Sequence, residues 1–203
     1  MKIFCVGRNY AEHAAELGNE KPEEPVIFLK PDTALLRNNA PFYFPDFSHE
    51  IHYECELVVR ICREGKHIAT QFAHKYYDQV ALGIDFTARD LQDKLKAKGL
   101  PWELSKGFDN SAVVSHFVAK EKFQDLQNLH FRFTLNEAER QKACTASMLF
   151  SIDEIVSFIS AYFTLKTGDL IFTGTPKGVG KVKIGDVLEG YLEEEIMYSV
   201  EIK

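Results

Sequence analysis

Apolar and polar positions recur along this chain in ways that place most of its regular elements. Residues 51–62 read as a strand. Tyr53, Cys55, Leu57 and Val59 share one face and Glu54, Glu56 and Val58 the other, because side chains alternate along an extended backbone. Residues 80–85 form an apolar run closed by Asp85 and predict a buried strand, and 87–95 predict a helix that Gly99 and Pro101 terminate. Residues 129–135 alternate as a strand does. Over 152–163, Ile152, Ile155, Val156, Ile159 and Phe163 recur with the helical period. Short strands are expected at 170–173, 187–191 and 197–202, with glycines between them. A short helix over 11–17 ends at Gly18-Asn19. Pro22, Pro25, Pro31, Pro41 and Pro45 divide 21–47 into extended pieces and turns. Strands outnumber helices and no βαβ alternation is visible, so the expected fold class is α+β, rich in β.

Length and charge narrow the picture. A chain of 203 residues can bury one full core, and a single domain over 1–203 is expected. The formal net charge is −6, which leaves no surplus of Lys and Arg to displace counterions from a duplex, so nucleic acid is not an expected partner. The apolar run at 3–6 is too short for a signal-peptide core, and no stretch approaches the roughly 20 apolar residues that span a bilayer. No membrane association and a cytoplasmic location are therefore expected. Cys5, Cys55, Cys62 and Cys144 form no C-x-x-C pair and read as buried thiols.

Candidate chemistry concentrates on three acids. Glu54 and Glu56 would lie about 6.6 Å apart along a strand, near enough to converge on one ion. Two close carboxylates repel unless one holds a proton, and a divalent cation removes that penalty. Asp85, at the mouth of a sheet, suits a third ligand. Oxygen donors favour Mg²⁺ or Mn²⁺ over zinc. Periodicity alone also allows an exposed E-x-E face and a helix-capping aspartate, with His49 and His52 as strand-flank histidines. His13 and Glu16 are at i and i+3, so Glu16 could orient the imidazole as a general base, or both could line a solvated helix face. Arg89 and Gln92 repeat that spacing and offer a carboxylate fork, or a surface helix with an Asp90–Lys94 pair. Lys106, among aromatics, could stabilise an enolate or stand in solvent. The segment from Thr173 to Gly180 is rich in backbone donors but does not fit a Walker A register.

In order, Gly7-Arg-Asn-Tyr-Ala-Glu-His, Phe28-Leu-Lys-Pro, Ile51-His-Tyr-Glu-Cys-Glu, Gly83-Ile-Asp-Phe-Thr-Ala-Arg-Asp-Leu-Gln, Ser105-Lys-Gly-Phe-Asp and Thr173-Gly-Thr-Pro-Lys-Gly-Val-Gly resemble the fumarylacetoacetate hydrolase family, most closely its short acylpyruvate hydrolase branch. The resemblance covers essentially the whole chain. It implies a rolled mixed β-sheet fold with few short helices, and a homodimer. It places Mg²⁺, or Mn²⁺, on Glu54, Glu56 and Asp85, with Ca²⁺ as a structural substitute. It makes Lys106 catalytic and Arg89, Gln92 and Thr175 substrate contacts. His13 and Glu16 match a water-activating pair on a mobile lid. The implied reaction is C–C hydrolysis of an acylpyruvate-type 2,4-dioxo acid, with pyruvate leaving as an enolate held by the metal and Lys106. The alternatives are an oxaloacetate decarboxylase, a 2-hydroxydienoate isomerase or tautomerase and, in another class, a noncatalytic small 2-oxo acid binder. The resemblance also predicts glycine after Asn136 and before Thr145, where this chain has Glu137 and Cys144.

Overall fold

A computed structural model describes residues 1–12 and 22–203. The helix expected over 11–17, and with it His13 and Glu16, lies outside the described residues from 13 onward. The strands are β1 (Ile3–Gly7), β2 (Val26–Lys30), β3 (Leu35–Leu36), β4 (Ile51–Tyr53), β5 (Cys55–Ile61), β6 (Tyr77–Asp85), β7 (Thr87–Ala88), β8 (Ala112–Val114), β9 (Val118–Ala119), β10 (His130–Leu135), β11 (Ala138–Cys144), β12 (Leu170–Phe172), β13 (Gly180–Lys181), β14 (Val187–Leu192) and β15 (Glu195–Glu201). The α-helices among the described residues are α1 (Thr70–Ala73), α2 (Arg89–Ala97), α3 (Glu103–Lys106) and α4 (Ile152–Tyr162).

Three sheets result. The largest has the order β2-β1-β12-β5-β6-β8-β3, with β9 also on β6. It is mixed, because β1–β12 and β3–β8 are parallel and β5–β6 is antiparallel. A second, antiparallel sheet runs β11-β10-β14-β15, and a third runs β13-β4-β7. The segment 51–62 is thus not one strand. It breaks at Glu54, where the chain passes from the third sheet into the first. Helix α2 begins two residues later than expected, since Thr87–Ala88 pairs with β4 instead.

Both faces of β5 and β6 are covered. Leu57, Val59, Leu82 and Ile84 pack with Phe131, Phe133 and Leu188 of the second sheet and with the apolar stripe of α4. Val58 and Ala81 pack with Ile3, Cys5, Leu170 and Phe172 on the other side. The Glu54/Glu56 face therefore does not meet open solvent. Ser151 caps α4 reciprocally with Glu154, which satisfies the backbone amides of Ser151 and Glu154 at the start of that helix.

Cys5 and Cys55 are buried as expected, whereas Cys62 and Cys144 are half-buried, and all four are free thiols. The β10–β11 hairpin closes without glycine: Asn136 and Glu137 both sit at left-handed φ, 51° and 67°. Asn136 compensates with side-chain bonds to Asp186 and the Val187 amide, each 2.9 Å. Cys144 has an extended φ of −114°, so no glycine is required there. No helix among the described residues is long and apolar enough to cross a membrane.

Candidate active site

Antiparallel pairing of β5 and β6 sets Glu56 opposite Gly83, and the Asp85 amide donates to the Glu54 carbonyl at 2.8 Å. The three acids thereby meet at one end of the central sheet. Their nearest carboxylate oxygens all lie within 4.8 Å of one another, and all three side chains are buried. Gly83 makes this possible: a Cβ there would stand 2.6 Å from the Val113 carbonyl oxygen and 2.7 Å from Phe172.

Two lysines answer the acids. Lys106 Nζ donates to Glu54 Oε2 at 2.8 Å and to Asp85 Oδ2 at 2.7 Å. Burial works against its charge, but Asp85 and Glu54 outweigh burial and hold the Lys106 pKa above the usual lysine value. Lys30, fully buried, forms an ion pair with Asp85 Oδ1 at 2.7 Å. The approach lacks hydrogen-bond alignment and leaves that oxygen a lone pair to offer. Lys30 directs its protons instead to the carbonyls of Lys106 and Ser111 and to the Ser111 hydroxyl.

Glu56 has less help. Burial, with Asp85 and Glu54 beside it, pushes its pKa well above the usual carboxylate range. Its Oε2 accepts a hydrogen bond from the Gly174 amide at 2.7 Å. Gly174 has φ +103°, and a Cβ there would be 2.7 Å from Asn9 Cβ. Asn9 is buried and ties that turn to the rest of the fold through Thr173 O at 2.7 Å and the Phe150 backbone. Three converging oxygen donors, an excess of negative charge at Glu56 and a cation already accepted between two of the acids together fit a divalent ion.

Arg89 and Gln92, one turn apart on α2, face the same pocket. Arg89 gives one terminal nitrogen to Glu54 Oε1 at 2.5 Å and the other to Gln92 Oε1 at 2.6 Å. Its Nε is buried and makes no hydrogen bond among the described residues. The guanidinium is thus held at the pocket wall, and such a fork is chemically suited to a carboxylate. Thr175 lines the pocket, but its hydroxyl donates to Cys55 O at 2.9 Å and accepts from Gln141 Nε2 at 2.9 Å. The hydroxyl proton is therefore already committed within the wall.

Every expected site residue that is described converges here: Glu54, Glu56, Asp85, Arg89, Gln92, Lys106 and Thr175. His49 and His52 do not join the acidic cluster. Sequence reasoning missed Lys30, Asn9 and Gln141. Lys30 was detectable as a lysine sharing the inward face of a short apolar strand with Phe28. Gln141 carried no such signal, because it is the one fully buried position in the polar strand β11.

The fumarylacetoacetate (FAA) hydrolase C-terminal family model matches residues 2–198. Among curated proteins, the mitochondrial oxaloacetate tautomerase FAHD1 of Bos taurus is 46% identical over 187 residues, 92% of this chain and 85% of the relative. The mitochondrial oxaloacetate decarboxylase of Dictyostelium discoideum is 44% identical over 189 residues, 93% of this chain and 87% of the relative. Both are named as mitochondrial proteins, so they lend no support to the cytoplasmic expectation. Among solved structures, fumarylpyruvate hydrolase from Pseudomonas aeruginosa, in complex with Mn²⁺ and pyruvate, superposes with a TM-score of 0.95 at 34% identity, covering 100% of this chain and 89% of that one.

Proposed function

This chain belongs to the fumarylacetoacetate hydrolase family, and on that premise we propose that it interconverts the keto and enol forms of oxaloacetate or a closely related 2-oxo acid. The observation that carries the reading is the buried ammonium of Lys106, held between Glu54 and Asp85 beside the Arg89 fork. The tautomerase and decarboxylase relatives support enol chemistry ahead of acylpyruvate hydrolysis, so hydrolysis yields its place as the principal expectation.

Glu54, Glu56 and Asp85 would hold Mg²⁺ or Mn²⁺, which supplies Lewis-acid polarisation of a 2-oxo group. Arg89, steadied by Gln92, takes the adjacent carboxylate through its pocket-facing guanidinium. Lys106 donates to the 2-oxo oxygen as negative charge develops there, a preorganised contact of the kind worth about 3–4 kcal/mol in a transition state. Tautomerisation breaks one C3–H bond and forms one O–H bond. We assign the C3 proton to His13, oriented by Glu16. Both lie outside the described residues. The protein would act as a homodimer, in line with the family resemblance.

Hydrolysis of a 2,4-dioxo acid is a second reading, favoured by the likeness to fumarylpyruvate hydrolase. It would need the same histidine to deprotonate water. Decay of oxaloacetate enol absorbance, compared with pyruvate release from oxaloacetate and from acetylpyruvate, separates the three reactions. Enol decay at least about tenfold faster than either pyruvate release is expected. Fastest release from acetylpyruvate would establish the second reading instead.

A further inference from the structure

The pocket holds two cationic side chains that none of this uses, Arg8 and Lys96, and Lys96 extends the face of α2 that carries Arg89. Arg89, Gln92 and Lys96 are at i, i+3 and i+7, so they share one face of α2. Of the three lysines near the end of this helix, Lys94 and Lys98 are exposed, whereas Lys96 turns inward, half-buried, and lines the pocket. Its ammonium lies 5.5 Å from the centre of the Trp102 ring. Trp102 meets Phe28 edge-on with ring centres 5.9 Å apart, and Phe28 in turn carries the Lys106 ammonium at 5.2 Å. One aromatic wall therefore presents two ammonium groups, one at the acidic triad and one a ring further out.

We propose that Lys96 binds a second, distal carboxylate of the substrate, so that the site selects 2-oxo diacids of oxaloacetate size over 2-oxo monoacids. The inference rests on reading this pocket as a 2-oxo acid site. Three carboxylates line it, Glu54, Glu56 and Asp85, against four cationic side chains, Arg8, Arg89, Lys96 and Lys106. A divalent ion on the triad leaves the pocket strongly positive. A monoanion that engages Arg89 leaves Lys96 unanswered, and a dianion satisfies both. Burial, reinforced by Arg89, already lowers the Lys96 pKa. An anion arriving between the two cations removes their repulsion. The aromatic contact helps to hold the ammonium at the pocket wall, and Lys96 forms no ion pair with a carboxylate among the described residues.

Malate and lactate test this without turnover. Both are 2-hydroxy acids that can chelate a cation and neither is tautomerised; only malate has the second carboxylate. Calorimetric titration of the Mg²⁺-loaded protein should show malate bound about tenfold or more tightly than lactate. Lys96→Gln should erase most of that preference while changing lactate affinity little, and Lys96→Arg should keep much of it. With oxaloacetate, Lys96→Gln should raise KM more than it lowers kcat. Equal affinity for the two acids in the wild type, or an undiminished preference in Lys96→Gln, overturns the role of Lys96 alone. Failure of the wild type to bind either acid, or pyruvate in the same titration, overturns the 2-oxo acid reading as well.

Discussion

Lys106 Nζ lies 2.7 Å from Asp85 Oδ2, on a carboxylate that would also hold a divalent ion at the triad. Ammonium and metal would then share the same carboxylates, and on the proposed function Lys106 would turn toward the substrate when the ion is bound. Lys106→Ala should then leave Mg²⁺ affinity unchanged or tighter while lowering oxaloacetate tautomerisation by about 10²–10³. Calorimetry and enol decay on one preparation check this. Metal affinity that falls in step with activity would make Lys106 a structural support of the metal site.

Lys30 and Asp85 form an ion pair in which both side chains are almost fully buried. Lys30→Met removes one partner and leaves a buried carboxylate and the Lys106 carbonyl with less compensation. Removal of one partner from such a pair costs about 3–5 kcal/mol. Urea unfolding in EDTA should show a loss of that order, and a loss below about 1 kcal/mol would contradict the assignment.

The hairpin at Asn136-Glu137 predicts a gain. A left-handed conformation costs a residue with a side chain about 1–2 kcal/mol, and glycine largely escapes this. Some of the relief is lost to the greater freedom of glycine in the unfolded chain. Glu137→Gly should stabilise by about 1 kcal/mol, which raises Tm by roughly 2–4 °C in a protein of this size. An unchanged or lower Tm would show that Glu137 makes compensating contacts.

Asp90 predicts a pH dependence. Burial opposes its charge, but hydrogen bonds from Ser48, the His49 amide and the Leu91 amide outweigh burial and hold its pKa below the usual range. A depressed folded-state pKa contributes stability that is present above the unfolded value of about 3.9 and is lost as pH falls through the folded value. Asp90→Asn should be less stable than wild type at pH 7, and the gap should close below about pH 3.9. A gap that does not change with pH would locate the effect outside the carboxylate's charge.

Much of the site was legible because its residues repeat at local periods. Glu54 and Glu56 are two apart on extended chain, Arg89 and Gln92 one turn apart on a helix, and Asp85 closes an apolar run. Lys96 continues the helical series and could have been found by adding one more turn. What the sequence hid depends on pairing across long distances. The break at Glu54 follows from a change of sheet partner, which no local pattern encodes. Strand β11 is polar because it forms the edge of its sheet, so alternation gave no sign of Gln141. Lys30 reads as a strand end until Asp85 and Ser111 are brought against it from more than 50 residues away.

The proposed cation on Glu54, Glu56 and Asp85 is what enol chemistry would depend on. The most direct test of this claim is the decay of oxaloacetate enol absorbance at fixed pH, as Mg²⁺ is titrated into EDTA-stripped wild type and Glu56→Gln. Wild type should gain activity saturably with Mg²⁺ and show almost none in EDTA. Glu56→Gln, which keeps the side-chain shape and removes one anionic donor, should stay near the uncatalysed rate throughout the same titration. Full activity in EDTA, or a Glu56→Gln variant with the wild-type Mg²⁺ response, would contradict the claim.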